Sequence, residues 1–265
     1  MIVALAFLRR DAKIALSYPG SFWMPWISII ISVVGFYFVS KLVTPTQALG
    51  VHGKVTTYFS YVVINVSFSV LLSTALLSFA GVVRRDQNAG TLEAILVYAP
   101  NLPYIIFCSG LWTLAIAGLQ VLVYLGAGRL LGLDLQHVNL GTLALFMLLS
   151  MGCMSSLGMM AAAAVIAYKQ TPPSGFLVGG AASMLAGVMF PVSLMPLPLQ
   201  AVSWCLPLTH ALAGMRGAMT GTGVSELSGD ALWLLAVTIA LIPVSVFVLQ
   251  RSIDHAKLDG TLAGY

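Results

Sequence analysis

Few residues of this chain could do chemistry, and their arrangement excludes most of it. His52, His137, His210 and His255 are scattered through expected loops, without Asp, Glu or Cys at metal-ligand spacing, so each reads as an ordinary polar side chain. Cys108, Cys153 and Cys205 lie in apolar surroundings and read as small hydrophobes in helices. No Ser, His and Asp stand together as a nucleophilic set. No G-x-x-x-x-G-K-[ST] loop is present to cradle nucleotide phosphates. The apolar segments carry no Asp, Glu or His at their centres, where a proton relay would need one. The expectation is a chain with no catalytic residue, no metal and no cofactor of its own. Any uphill work it performs must draw energy from another polypeptide.

Composition says where such a chain can exist. Of 265 residues, 59% are hydrophobic and only 8% are charged. A soluble domain carries roughly 25% charged residues, so this one could not cover its surface with polar groups, and the alternative solvent is lipid. A net charge of +4 without clustered Lys and Arg does not suit a nucleic-acid binder. A hydrocarbon core of about 30 Å needs ~20 apolar residues per helix. Six segments qualify, roughly 22–42, 57–83, 102–128, 140–168, 174–192 and 231–249. With the N-terminus inside, Arg9, Arg10, Lys13, Arg84, Arg85, Lys169, Arg251 and Lys257 are cytoplasmic. Lys41, Lys54, Arg129 and Arg216 are outside. This eight-to-four bias predicts both termini in the cytoplasm. The apolar run 1–8 precedes its basic residues, the reverse of a signal peptide. Leu5, Leu8, Ala12 and Leu16 recur at helical spacing, which predicts an amphipathic interfacial helix over about 1–20.

Two connections stand out. After the second span come Arg84-Arg85-Asp86 and then Thr91-Leu92-Glu93, where Leu92, Ile95, Leu96 and Ala99 make an apolar stripe ended by Pro100 and Pro103. That short helix could lie on lipid or enter a groove on a cytoplasmic partner, and the residues alone leave both open. The stretch 193–229 is long, external by topology and still apolar, but Pro and Gly break it into pieces too short to span, the pattern of re-entrant or interfacial helices.

Both connections resemble the ABC-2 type of ABC exporter permeases. Arg84-Arg85-Asp86 with Gly90-Thr91-Leu92-Glu93 and a Pro resembles that family's cytoplasmic loop. The order Phe190-Pro191, Leu197-Pro198-Leu199-Gln200, Pro207-Leu208-Thr209-His210-Ala211-Leu212 and Arg216-Gly217 resembles its fifth span and external loop. The resemblance implies an all-α membrane protein forming a single domain over 1–265. It has six transmembrane helices, an N-terminal interfacial helix, a coupling helix over 84–100 and external re-entrant helices over 193–229. It implies two permease chains, most simply a homodimer in the inner (plasma) membrane. Two copies of a separate ATPase would bind the ATP and Mg. Arg84, Arg85, Asp86, Thr91, Glu93 and Lys169 would couple to that ATPase. Pro191, Pro207 and Arg216 would belong to an external gate.

The spans add weaker signals. Gly175, Gly179, Ser183 and Gly187 recur at four-residue spacing and would let a second backbone approach, either within the chain or at a dimer seam. Asn65, Ser69 and Ser73 form a polar stripe that fits helix-to-helix hydrogen bonding or a pathway. Tyr37 belongs to an aromatic cluster with Phe36, Phe38, Tyr58, Phe59 and Tyr61, readable as an interfacial belt or as a stacking surface. A secondary transporter or channel needing no ATPase is the competing reading.

Overall fold

The computed structural model describes residues 2–42, 49–51, 54–90, 102–135, 137–168 and 174–258. Its elements are α1 (Ile2–Ser17), α2 (Pro19–Leu42), a hairpin of β1 (Leu49–Val51) and β2 (Lys54–Thr56), α3 (Tyr58–Asn88), α4 (Leu102–Leu130) and α5 (Leu140–Tyr168). There follow α6 (Ser174–Leu185), a 3-10 turn (Val192–Leu194), α7 (Leu197–Trp204), α8 (Pro207–Met219) and α9 (Ser228–Leu258). The hairpin pairs Gly50 with Val55 over three residues, at a place rich in β-branched Val51, Val55 and Thr56; the other described elements are helical, as the all-α expectation has it.

Among the described residues, α2, α3, α4, α5 and α9 are long and apolar enough to cross a membrane, so this is a membrane protein. The expected fifth span is different. Its helix, α6, is 12 residues long, or about 18 Å at 1.5 Å per residue. The cause is local. Gly187 N–H bonds Met184 O at 3.2 Å and Val188 N–H bonds Ser183 O at 3.3 Å, while Gly187 holds φ 76°. This pair of bonds around a left-handed glycine is a helix-ending Schellman motif. Gly187 therefore does not continue a helical small-residue stripe with Gly179 and Ser183, which do lie in α6; it stops the helix. In the opposite sense, α3 runs past the apolar limit at Val83 to Asn88. Arg84, Arg85 and Asp86 thus continue α3 rather than belonging to a separate coupling helix, because hydropathy reports lipid contact and not where backbone hydrogen bonding ends.

The helix directions follow from close approaches. A Cβ at Gly128 of α4 would stand 3.1 Å from Val63 Cγ1 of α3, and one at Gly110 would stand 2.6 Å from Phe79 Cε1, so α3 and α4 are antiparallel. Thr238 Oγ1 donates to Leu149 O at 3.3 Å and Ser252 Oγ donates to Ala163 O at 2.8 Å, so α5 and α9 are parallel and in register. The helix α3 is the hub. Its most apolar window is 56% buried against 11% for α2, and Phe68, Leu71, Leu72, Phe79 and Val83 fill the core beside Phe146 of α5 and Leu212 and Met215 of α8. Exposed Trp23, Ile27, Ile31 and Phe38 on α2 suit a face against lipid.

The stretch 193–229 divides into the 3-10 turn, α7 of 8 residues and α8 of 13. Pro207 opens α8 in its first turn, where its missing N–H costs nothing. The helix α8 is almost wholly buried: Ala211, Leu212, Met215 and Ala218 have no exposure.

Candidate functional site

The polar chemistry gathers where α3, α5 and α9 begin. Thr57 caps α3, its Oγ1 accepting from Ser60 N–H. One and two turns on, Tyr61 and Asn65 share a face at i and i+4, 3% and 0% exposed. Because the Schellman turn ends α6 at this level, the Gly187 carbonyl is released from the helix and becomes a shared acceptor. Tyr61 Oη donates to it at 2.8 Å, Asn65 Nδ2 approaches at 3.5 Å, and Arg216 Nη1 approaches at 3.5 Å while donating to Tyr61 Oη at 2.7 Å. The Arg216 guanidinium also lies 5.3 Å from the Tyr61 ring centroid, in cation–π range. Burial pulls the Arg216 pKa below its ordinary value, opposed by Tyr61 and Asp230. Its Nε and Asn65 Oδ1 are buried without a partner among the described residues. Unpaired buried polar atoms of this kind are uncommon in folded proteins.

A second group adjoins the first. His210 Nδ1 lies 2.6 Å from Asp230 Oδ1 in the first turn of α9, and Nε2 lies 2.9 Å from the Trp204 carbonyl. Trp233 stacks on the imidazole at 4.2 Å, and Trp204 lies 5.5 Å away. Burial opposes charging the ring, but the Asp230 bond, the Trp204 carbonyl and the Asp230 charge outweigh it, so His210 titrates above its ordinary value. The loop reading of His210 is corrected here: it sits in α8, and His255 sits in α9.

The elbow between α7 and α8 is tied by Ser203. Its Oγ donates to Leu185 O at 2.6 Å, and Thr209 Oγ1 donates to Ser203 O at 2.6 Å. Gln200 Nε2 donates to Met195 O at 2.7 Å. Pro191 and Pro196 precede the 3-10 turn and α7. Ser203→Ala is expected to cost about 1 kcal/mol, read as a Tm lower by ~2–4 °C in detergent. An unchanged Tm would mean that the Leu185 bond contributes nothing.

The structure thus joins three residues singled out separately, Asn65, Gly187 and Arg216, through Tyr61. That tyrosine is a core hydrogen-bonding group and not a member of an interfacial aromatic belt. Tyr37 stays with its aromatic neighbours, 5.8 Å from the Phe59 ring. Ser69 and Ser73 part from Asn65. They line an open groove of about 430 Å³ with Val70, Thr74, Leu77, Ser78 and Thr113, whereas Asn65 is sealed inside. Tyr61 was legible as the residue one turn before Asn65 on its stripe. His210 and Asp230 left no local signal.

At the opposite end, Arg85 Nε lies 3.9 Å from Asp86 Oδ1 and Arg10 Nε lies 2.9 Å from Asp11 Oδ1. Asp86 also feels the charges of Arg10 and Asp11, which brings α1 to the end of α3. Arg84 has partners of its own. Thr91, Glu93 and Lys169 lie outside the described residues. Among the described residues no group of His, Cys, Asp and Glu could hold a metal ion.

No curated protein matches this chain. The family model described as "ABC-2 type transporter" matches residues 4–220, from the N-terminal helix to the turn that closes α8, taking in both the Gly187–Arg216 cluster and the charged end of α3. A match over most of the sequence shows that the chain is a transmembrane permease belonging to the ABC-2 type transporter family.

Proposed function

We propose that the chain is the membrane-spanning subunit of an ATP-driven exporter. Its ATPase would be a separate polypeptide bound in two copies, and a second permease chain would complete a homodimer. The observation that carries this reading is the ABC-2 match over 4–220 in a sequence with no phosphate-cradling loop. Such a permease is not itself catalytic; it converts movement of its partner into rearrangement of its spans.

Six crossings with both termini cytoplasmic fit the parallel run of α5 and α9. Between them the chain must return along the bundle. The carbonyl of Gly187, already level with Tyr61 at the start of α3, supports a return through α6. The partner's stroke would enter at the charged end of α3 and at the amphipathic segment after it, through Arg84, Arg85, Asp86, Thr91, Glu93 and Lys169. The groove along the middle of α3, lined by Ser69, Ser73, Thr74 and Ser78, suits the pathway or the seam between two chains, as do Tyr37 and Asn65 nearer the start of α3. The absence of charge from it suits an amphipathic, lipid-linked, glycan or drug-like substrate. The segment with Pro191, Pro207 and Arg216 would be the external gate.

Glu93→Arg tests the coupling. ATPase retention on the purified permease is expected to fall about tenfold, with the monodisperse profile of the permease unchanged. Asp86→Arg is less clean, because Asp86 is partly buried and also feels the charges of Arg10 and Asp11. Full retention and full ATP-dependent transport by Glu93→Arg would sink the coupling assignment. Transport by this chain alone in vesicles under an ion gradient would favour a secondary transporter or channel.

A further inference from the structure

We propose that His210 is a proton-operated latch: as an imidazolium it bolts the α7–α8 elbow to the start of α9, and it releases the elbow when it loses a proton. The argument is one of donors and acceptors. A carbonyl oxygen can only accept, so the 2.9 Å contact between His210 Nε2 and Trp204 O requires a proton on Nε2. An ionised carboxylate can only accept, so the 2.6 Å contact between Nδ1 and Asp230 Oδ1 requires a second proton on Nδ1. A neutral imidazole has one N–H and can satisfy one of these acceptors, never both; its remaining lone pair would face an oxygen lone pair at hydrogen-bond distance.

The surroundings favour the cation. The indole of Trp233 stacks at 4.2 Å, a face that attracts a cation, and that of Trp204 lies tilted at 5.5 Å. The ionisable groups at this end include Asp230 on α9, Arg216 on α8 itself, Tyr61 of α3, bonded to Arg216, Tyr58 at the start of α3, and Asp134 and His137 in the connection before α5, which meets the turn after α8; Glu226, a turn before Asp230, is exposed. The helices α6 and α7 bring none, and α5 brings only Cys153 and, at its far end, Tyr168.

The latch is placed to act on the same cluster as the candidate site. Trp204 ends α7, whose Ser203 holds Leu185, the last residue of α6, next to the turn that presents Gly187 O to Tyr61 and Arg216. Loss of the Trp204 bond leaves the elbow held to α8 through Ser203 and Thr209 and loosens the tie to that turn. Under the topology proposed above, on which the word external rests, the protons come from outside the cell. The sign follows from the charged form being the bonded one: the latch is fully closed below the ordinary histidine pKa of about 6.5 and opens as pH rises through the higher value of the folded state.

Hydrogen–deuterium exchange on the purified full chain in lipid nanodiscs reads this without assuming which face is outside, and without the ATPase. The peptide carrying Cys205 and Leu206, whose amides bond Val202 O and Ser203 O, is followed at pH 5.5 and pH 9, with rates corrected for intrinsic exchange. The wild type is expected to exchange there at least tenfold faster at the higher pH, while peptides from the core of α5 do not change. His210→Gln, neutral at both pH values, is expected to show one rate at both. Asp230→Asn, which keeps the histidine and removes its anion, is expected to move the transition to lower pH. Equal rates in the wild type at the two pH values, a pH effect that survives in His210→Gln, or an unmoved transition in Asp230→Asn would each overturn the latch. None of these outcomes bears on whether an ATPase drives the permease.

Discussion

Gly158→Val is expected to lower the Tm of the purified permease by about 6–12 °C. A Cβ at this position of α5 would lie 2.7 Å from Leu76 O and 2.8 Å from Ala75 O, with Phe79 Cδ2 at 2.9 Å. Two of these three neighbours are backbone of α3 and cannot swing aside. The helices must separate along an interface whose core, Ala75, Phe79 and Ala162, is closed to solvent. Overpacking of this kind typically costs ~1–3 kcal/mol and sometimes more. At the upper end, and at ~2–4 °C per kcal/mol for a chain of this size, the shift above follows. Gly118→Ala in α4 is the control, since nothing lies within 4 Å of its Cβ position and helix propensity favours alanine. Thermal unfolding followed by size-exclusion fluorescence separates the two. A Gly158→Val protein as stable as the Gly118→Ala protein would contradict the α3–α5 contact itself.

Gly187→Val is expected to damage the opposite end and, with it, transport. Two costs add. A side chain at φ 76° enters the left-handed region, at roughly 1–2 kcal/mol, more for a β-branched residue. Its Cβ would also meet Val192 Cγ2 at 2.9 Å and Phe190 O at 3.1 Å. The sum of about 2–5 kcal/mol falls on the turn whose carbonyl accepts from Tyr61. Moving that carbonyl leaves the Tyr61 hydroxyl and the Arg216 guanidinium short of an acceptor in a place where water does not replace it. The expected signature is a lowered Tm together with loss of ATP-dependent transport in vesicles, with Gly187→Ala intermediate in both. Wild-type transport by Gly187→Val would remove the Gly187–Tyr61–Arg216 cluster from the working part of the molecule.

The two glycines show how unevenly sequence patterns report structure. Both sit in runs of small residues and look alike in one dimension. Gly158 lies inside a helix and matters because another backbone touches it. Gly187 looks like the fourth member of a helical stripe and is instead the residue that ends the helix. Spacing at i and i+4 states only that residues would share a face if the helix continued. Whether it continues depended here on bonds to Ser183 and Met184, which spacing does not encode. The extension of α3 to Asn88 is the converse: charged Arg84 to Asp86 look like loop by hydropathy, but their backbone stays hydrogen-bonded beyond the apolar window.

What the sequence determined by itself follows from local and additive properties. Scarce charge and long apolar runs sum along the chain to a membrane protein, with five helices among the described residues long enough to span. Proline and glycine act at their own positions, so the breaking of 193–229 into short helices was legible, as were the two charge-bearing connections that resemble the ABC-2 family. Which polar groups meet was decided only by the tertiary structure. Tyr61 and Gly187 are 126 positions apart and Tyr61 and Arg216 are 155 apart; His210 and Asp230 are 20 apart, across a turn and a helix boundary. A hydrogen bond across such separations has no period and no composition. It exists because α3, α8 and α9 begin or end at one level of the bundle, and the antiparallel and parallel packing of the long helices set that level.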